Sequence, residues 1–165
     1  MAISVPSKSA QYTDYKANPQ VMVKSADWGS KMRVSHAKLT FTVAGFTSAA
    51  LVDIPMIRLP AGKVRVYSDL SRIICPVGTA TADLDVGIAA YTKDDGTTQA
   101  IQGIAFADSL DVGGAAIDQA LPLPVAKKFV EVNSADGADV GVSFDTANSP
   151  AAGDMYLWLV YQMGN

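Results

Sequence analysis

Short runs of alternating apolar and polar residues, cut at close intervals by Gly, Pro, Asp and Asn, limit this chain more than any other feature. Alternation with period two places every second side chain on one face, which is the signature of a half-buried β-strand. Ala37, Leu39, Phe41 and Val43 alternate with His36, Lys38, Thr40 and Thr42. Val64 and Val66 oppose Lys63, Arg65 and Tyr67, and a second apolar run at residues 70–75 stops at Pro76. Leu84, Val86, Ile88 and Ala90 oppose Asp83, Asp85, Gly87, Ala89 and Tyr91. Further strands are predicted over residues 49–59, from Phe129 to Asn133, through Val140, Val142 and Phe144, and from Met155 to Met163. Pro55 marks the strand at 49–59 as an edge or a bulge. Asp94-Asp95-Gly96 and Asp136-Gly137 supply tight turns. Ile101 to Leu110 reads as a short helix or an irregular crossing, ended by Gly113-Gly114, and Leu121-Pro122-Leu123-Pro124 belongs in no central strand. The last strand is apolar on both faces, with Leu157, Leu159 and Tyr161 opposing Tyr156, Trp158 and Val160, so it is central or at an interface.

About eight strands with turns between them predict an all-β protein, a jelly-roll-like β-sandwich over residues 35–165. Composition agrees. Fifteen of the sixteen acidic residues are Asp, a turn former, and only Glu131 is Glu, a helix former. A chain of 165 residues, 49% hydrophobic, is long enough for one domain with a proper core. The single cysteine, Cys75, sits in the apolar run Ile73-Ile74-Cys75 and reads as a buried thiol. Residues 1–20 lack the apolar stretch of a signal peptide, so synthesis and folding in a cytoplasm are expected, and no apolar run reaches the roughly 18–20 residues of a membrane helix.

Residues 1–34 follow neither period and form an extended N-terminal arm in this reading. Tyr12, Tyr15, Val21, Val23 and Trp28 are scattered among Ser, Lys, Asn, Gln and Pro, as in a segment that orders along another protein. Residues 1–38 hold six basic and two acidic residues, a net of +4, whereas residues 39–165 hold seven and fourteen, a net of −7. A basic arm on an acidic body suits an acidic partner surface. Lys8, Tyr12, Tyr15, Lys16, Lys24, Trp28, Lys31 and Arg33 are the candidate binding residues of the arm. Nucleic acid fits less well, because the cations are sparse and the body repels phosphate.

Signatures of catalysis are scarce. His36 is the one histidine, and Ser35 beside it points to the opposite face, so the two make no nucleophile–base pair. No G-x-S-x-G elbow and no phosphate-binding loop are present. One His and one Cys do not make a zinc site. The pairs Asp83 and Asp85, Asp94 and Asp95, and Asp108 and Asp111 are oxygen-rich enough to consider for Ca²⁺ or for glycosidase acids. No EF-hand loop or aromatic-lined cleft accompanies them, and turns routinely use Asp for backbone capping. Neither a metal nor a cofactor is expected. Tyr156, Trp158 and Tyr161 invite base stacking, but their strand context favours packing in the core or between subunits, with Tyr156, Trp158 and Val160 as candidate interface residues.

Several stretches together resemble a known group of proteins. They are Leu84-Asp85-Val86-Gly87-Ile88-Ala89, Phe106-Ala107-Asp108-Ser109-Leu110-Asp111-Val112, Phe129-Val130-Glu131-Val132 and Ala152-Gly153-Asp154-Met155-Tyr156-Leu157. Across roughly residues 60–165 the chain is similar to tailed-bacteriophage head decoration (cement) proteins and related minor virion structural proteins. The resemblance implies a β-sandwich that forms a homotrimer on the capsid exterior and bridges neighbouring major capsid proteins. It carries no catalytic motif. The competing expectation is a receptor- or glycan-binding fibre module, which predicts exposed aromatic and Asp side chains on loops far from the arm and sugar binding by the domain.

Overall fold

The structure is a computed structural model that describes residues 32–42, 52–78, 81–122, 129–144 and 149–164. The described residues form strands only: β1 (Met32–Phe41), β2 (Ile54–Leu59), β3 (Gly62–Cys75), β4 (Asp83–Ile88), β5 (Tyr91–Thr92), β6 (Thr98–Gln99), β7 (Gln102–Asp111), β8 (Ile117–Ala120), β9 (Val130–Ser134), β10 (Ala138–Phe144) and β11 (Gly153–Met163). β1 begins at Met32, ahead of the expected boundary at residue 35, so Arg33 and Val34 are strand residues rather than arm.

The strands build two stacked sheets and a small hairpin. One sheet runs β1-β11-β3, with β8 and β9 both on the far side of β3, and the other runs β2-β10-β4-β7. β8 pairs the Arg72–Cys75 end of β3 and β9 pairs its Gly62–Val66 end, so the two act as one interrupted strand. The pairings are then nested: β1 with β11, β2 with β10, β3 with β8 and β9, β4 with β7. A long antiparallel hairpin rolled into two layers gives this order, which is the jelly roll. The expectation of about eight strands therefore holds for the wind, while the interruption of one strand and the β5–β6 hairpin raise the number of segments. That hairpin turns through Asp95, whose Oδ1 accepts from the Thr97 amide at 2.9 Å, and Gly96 at φ +80°.

Local chemistry explains the irregularities. Pro55 lies on an edge strand, and the register of β10 against β2 slips between Val140 and Gly141, opposite it. Both readings of that proline, edge and bulge, are realised. The apolar run at 70–75 is not a separate strand but the second half of β3. The halves meet at a bulge: β3 carries Ser68 to Ser71 between its pairings to Val160 and Trp158, where β11 has only Leu159. Ser71 closes the gap. Its hydroxyl donates to the Tyr67 carbonyl at 2.7 Å and accepts from the Val160 amide at 2.9 Å, while its carbonyl accepts from the Leu121 amide at 3.0 Å.

Residues 101–110, expected as a short helix or a crossing, are instead the edge strand β7. Its period is hidden by two register slips against β4. At the first, Ser109 adopts φ +49° and its amide donates to the buried carboxylate of Asp85 at 2.7 Å. At the second, β7 closes on Gly87 so tightly that a Cβ there would collide with the carbonyl oxygens of Gln102 and Gly103. A buried aspartate inside a strand thus serves a bulge, not a reaction.

The core lies between the sheets. Leu39, Val64, Val66, Ile73, Leu157 and Leu159 from one sheet meet Ile54, Ile57, Leu84, Val86, Ile88 and Val142 from the other. Phe41 and Phe144 cross edge to face at 5.9 Å. Cys75 is buried here, and burial pushes its thiol up to about 12.

Two outcomes follow. Ser71→Ala removes two hydrogen bonds of a buried hydroxyl and is expected to destabilise the fold by about 1–3 kcal/mol in urea unfolding. Ser143→Ala deletes a buried hydroxyl that has no partner among the described residues and is expected to be near neutral. Equal losses for the two would refute the bulge-closing role. Separately, Cys75 is expected to resist alkylation at pH 8 in the native protein and to react fully in denaturant, because only the thiolate is nucleophilic. Rapid native labelling would contradict its placement in the core.

Candidate interaction surface

Strand alternation sends half of each strand of the first sheet outward, and those side chains form the surface of interest. Met155, Leu157, Leu159, Tyr161 and Met163 of β11 are buried, while Asp154, Tyr156, Trp158, Val160 and Gln162 face out and are half-buried by their neighbours. Ladder register sets the rows. His36 lies opposite Trp158, which lies opposite Arg72; Val34 lies opposite Val160, which lies opposite Tyr67; Lys38 lies opposite Tyr156, which lies opposite Ile74.

The centre of this face is apolar and aromatic. Tyr156 stacks on Trp158 with ring centroids 5.4 Å apart and planes 18° apart. Tyr67 meets Phe129 edge to face at 6.1 Å, and the Arg65 guanidinium lies 4.2 Å from the Phe129 ring centre. Val34 is 63% exposed and Met32 is 52% exposed at the β1 side. Ion pairs fringe this centre. Lys38 Nζ lies 2.8 Å from Asp154 Oδ2, Arg65 donates to Glu131 from Nε at 3.1 Å, and Arg72 donates to Asp118 at 2.5 Å. An aromatic and aliphatic centre with Arg at its margin and a charged rim is the anatomy of a protein-binding surface.

The sequence-derived candidates fall in two places. Tyr156, Trp158 and Val160 come together on this face, as neighbours on one strand. Lys8, Tyr12, Tyr15, Lys16, Lys24, Trp28 and Lys31 lie outside the described residues. Arg33 is on the core-facing side of β1, opposite Tyr161 and half-buried. Sequence reasoning missed the contribution of Tyr67, Phe129, Arg65 and Arg72. The signal was present in part, since the alternation at residues 63–67 already set Arg65 and Tyr67 on the face away from Val64 and Val66.

The groups considered for catalysis are dispersed. His36 is exposed beside Trp158, and Ser35 turns inward to donate to the Tyr161 hydroxyl at 3.5 Å. Among the described residues no three of His, Cys, Asp or Glu meet in a metal-binding set, and no helix is long and apolar enough to cross a membrane. Asp83 faces Asp111 across the β4–β7 ladder, and Asp111 accepts from the Gly113 amide at 2.9 Å. Asp95 is held below the usual carboxylate range by the Thr97 hydroxyl and amide.

The rim pairs predict a pH response. Hydrogen bonds from Lys38, Arg65 and Arg72 hold Asp154, Glu131 and Asp118 below their usual values. A lowered carboxylate value stabilises the fold above the unfolded value, about 4, and that contribution is lost as pH falls through the folded value. The urea midpoint is therefore expected to fall between about pH 5 and pH 3, with a smaller fall in high salt. A flat midpoint across that window would show that the rim pairs contribute nothing.

No protein-family model and no curated protein matches this sequence. Solved structures do match its fold. In the capsid of Ralstonia phage GP4, a chain superposes with TM-score 0.59 at 20% identity, over 96% of this chain and 97% of that one. In the cyanophage Pam1 capsid asymmetric unit, a chain superposes with TM-score 0.51 at 16% identity, over 89% of this chain and 95% of that one. The match runs nearly end to end in both, and this chain shares its all-β sandwich fold with chains found in two phage capsids.

Proposed function

We propose that the protein is a virion structural component, a capsid decoration (cement) protein that binds the outside of a phage head and reinforces contacts between major capsid proteins. The observation that carries this reading is the near end-to-end match, in both directions, to chains of two phage capsids. The likeness covers 89% and 96% of this chain, so the sandwich as a whole, and not one sheet of it, is what resembles the capsid chains. The role is non-catalytic: the protein acts by binding.

Two attachments divide the work. The outer face of the first sheet, centred on Tyr156, Trp158 and Val160, joins copies into a homotrimer. The arm ahead of Met32, with Lys8, Tyr12, Tyr15, Lys16, Lys24, Trp28 and Lys31, reaches an acidic surface of the major capsid protein. Mechanism is mass action. A protein that binds the assembled shell and not its separated subunits shifts the equilibrium toward the shell. Joining copies makes later contacts intramolecular, so modest contacts add up.

The glycan-binding alternative requires aromatic and Asp side chains together on loops far from the arm. Asp53, Asp83 and Asp111 do lie toward the sandwich end opposite Met32, but the clustered aromatic side chains are on the sheet face. That separation favours the assembly reading.

Deleting residues 1–30 leaves β1 whole, so the truncated chain is expected to stay folded and keep its native mass while losing co-sedimentation with assembled capsid shells. Undiminished shell binding, or a truncated chain that fails to fold, would overturn the assignment of the arm.

A further inference from the structure

The edge strand β7 leaves apolar and acidic side chains exposed along its length. It ends the second sheet, residues 81–122 around it are described without a break, and among the described residues nothing pairs with its outer side. Ile101, just ahead of the strand, is 47% exposed, and Ile104, within the second register slip, is 44% exposed. Further along, Asp108 and Asp111 are exposed, and Asp111 faces Asp83 across the ladder. Like charges directly opposite each other destabilise a ladder. None of these three carboxylates takes part in an ion pair among the described residues. Asp111 accepts from the Gly113 amide and Asp108 accepts from the Ser109 hydroxyl at 3.2 Å, both neutral donors. The wider stretch repeats the sign: residues 81–122 hold seven Asp and one cation, Lys93, a net of −6.

We infer that the β7 flank docks an extended segment of a different protein chain, with apolar residues at one end and closely spaced Lys or Arg at the other. The apolar end covers Ile101 and Ile104, and the cations meet Asp108, Asp111 and Asp83. Recognition runs through side chains, because the two slips in β7 interrupt the regular ladder that an added strand would have to continue. Charge selects the occupant. The sandwich of a second copy carries the same sign, since residues 39–165 have a net of −7. The chain's own arm has the opposite sign but the wrong spacing. Its lysines, Lys8, Lys16, Lys24 and Lys31, stand seven or eight residues apart, about 25 Å in an extended chain, whereas Asp108 and Asp111 are three residues apart, about 10 Å. The flank lies on the other sheet from Tyr156, Trp158 and Val160, so it stays open when copies join through that face. That the segment belongs to a capsid subunit rests on the virion reading.

Co-sedimentation of full-length variants with assembled capsid shells tests this, with melting temperature and native mass measured alongside. Asp111→Asn keeps an acceptor for the Gly113 amide and removes one of two facing charges. It is expected to hold or raise the melting temperature, keep the native mass and weaken shell binding at least about tenfold, with a shallower dependence on salt. Ile104→Ser, at an exposed position, is expected to keep both melting temperature and mass and to weaken binding about fivefold or more. Wild-type shell binding by both variants overturns the docking site and leaves the virion reading standing. A native mass that falls together with shell binding assigns the flank to the contact between copies and overturns the proposed occupant. Protection of β7 from hydrogen exchange without shells, lost on deleting residues 1–30, places the chain's own arm there and overturns that occupant too. A wild-type chain that binds no shells overturns both readings.

Discussion

The ladder between β1 and β11 is the contact on which the rest of the sandwich depends. It joins Met32 to Gln162 and Phe41 to Gly153, so the first and last described strands meet across most of the chain. Because the pairings are nested, each inner pair is brought together by the one outside it or by the turn inside it. Closing β1 on β11 places β11 in the middle of its sheet, with β3 on its other side. That central position accounts for the two apolar faces of β11: one lines the core and the other is the middle of the exposed sheet. Such long-range pairing gives high contact order and folding in milliseconds to seconds rather than microseconds.

The fold was largely legible because strand alternation is a local signal. The faces of the residue 63–67 stretch, the turn at Asp94-Asp95-Gly96 and the place of Pro55 all follow from side-chain period and backbone freedom. Legibility failed where the ladder slips. β7 lost its period to two bulges, one held by the Asp85 carboxylate and one by the close approach at Gly87, and neither partner is near in sequence. Ser71 likewise joined two apparent strands through a bond to Val160, eighty-nine residues away.

The candidate surface was legible only along one strand. Tyr156, Trp158 and Val160 share a face by period two, which sequence shows. Tyr67, Phe129, Arg65 and Arg72 join them only because β3 pairs β11, and register across strands is a tertiary fact. The aromatic centre and the rim of ion pairs lie side by side on one face, and the proposed assembly role needs such a continuous surface more than it needs a pocket.

The proposed joining of copies through this face is tested by the native mass of the purified protein in light scattering. A homotrimer gives a mass near three times the 17.3 kDa of one chain, reduced to that of a single chain by Trp158→Glu. A stable monomer in the wild-type protein at micromolar concentration would contradict it.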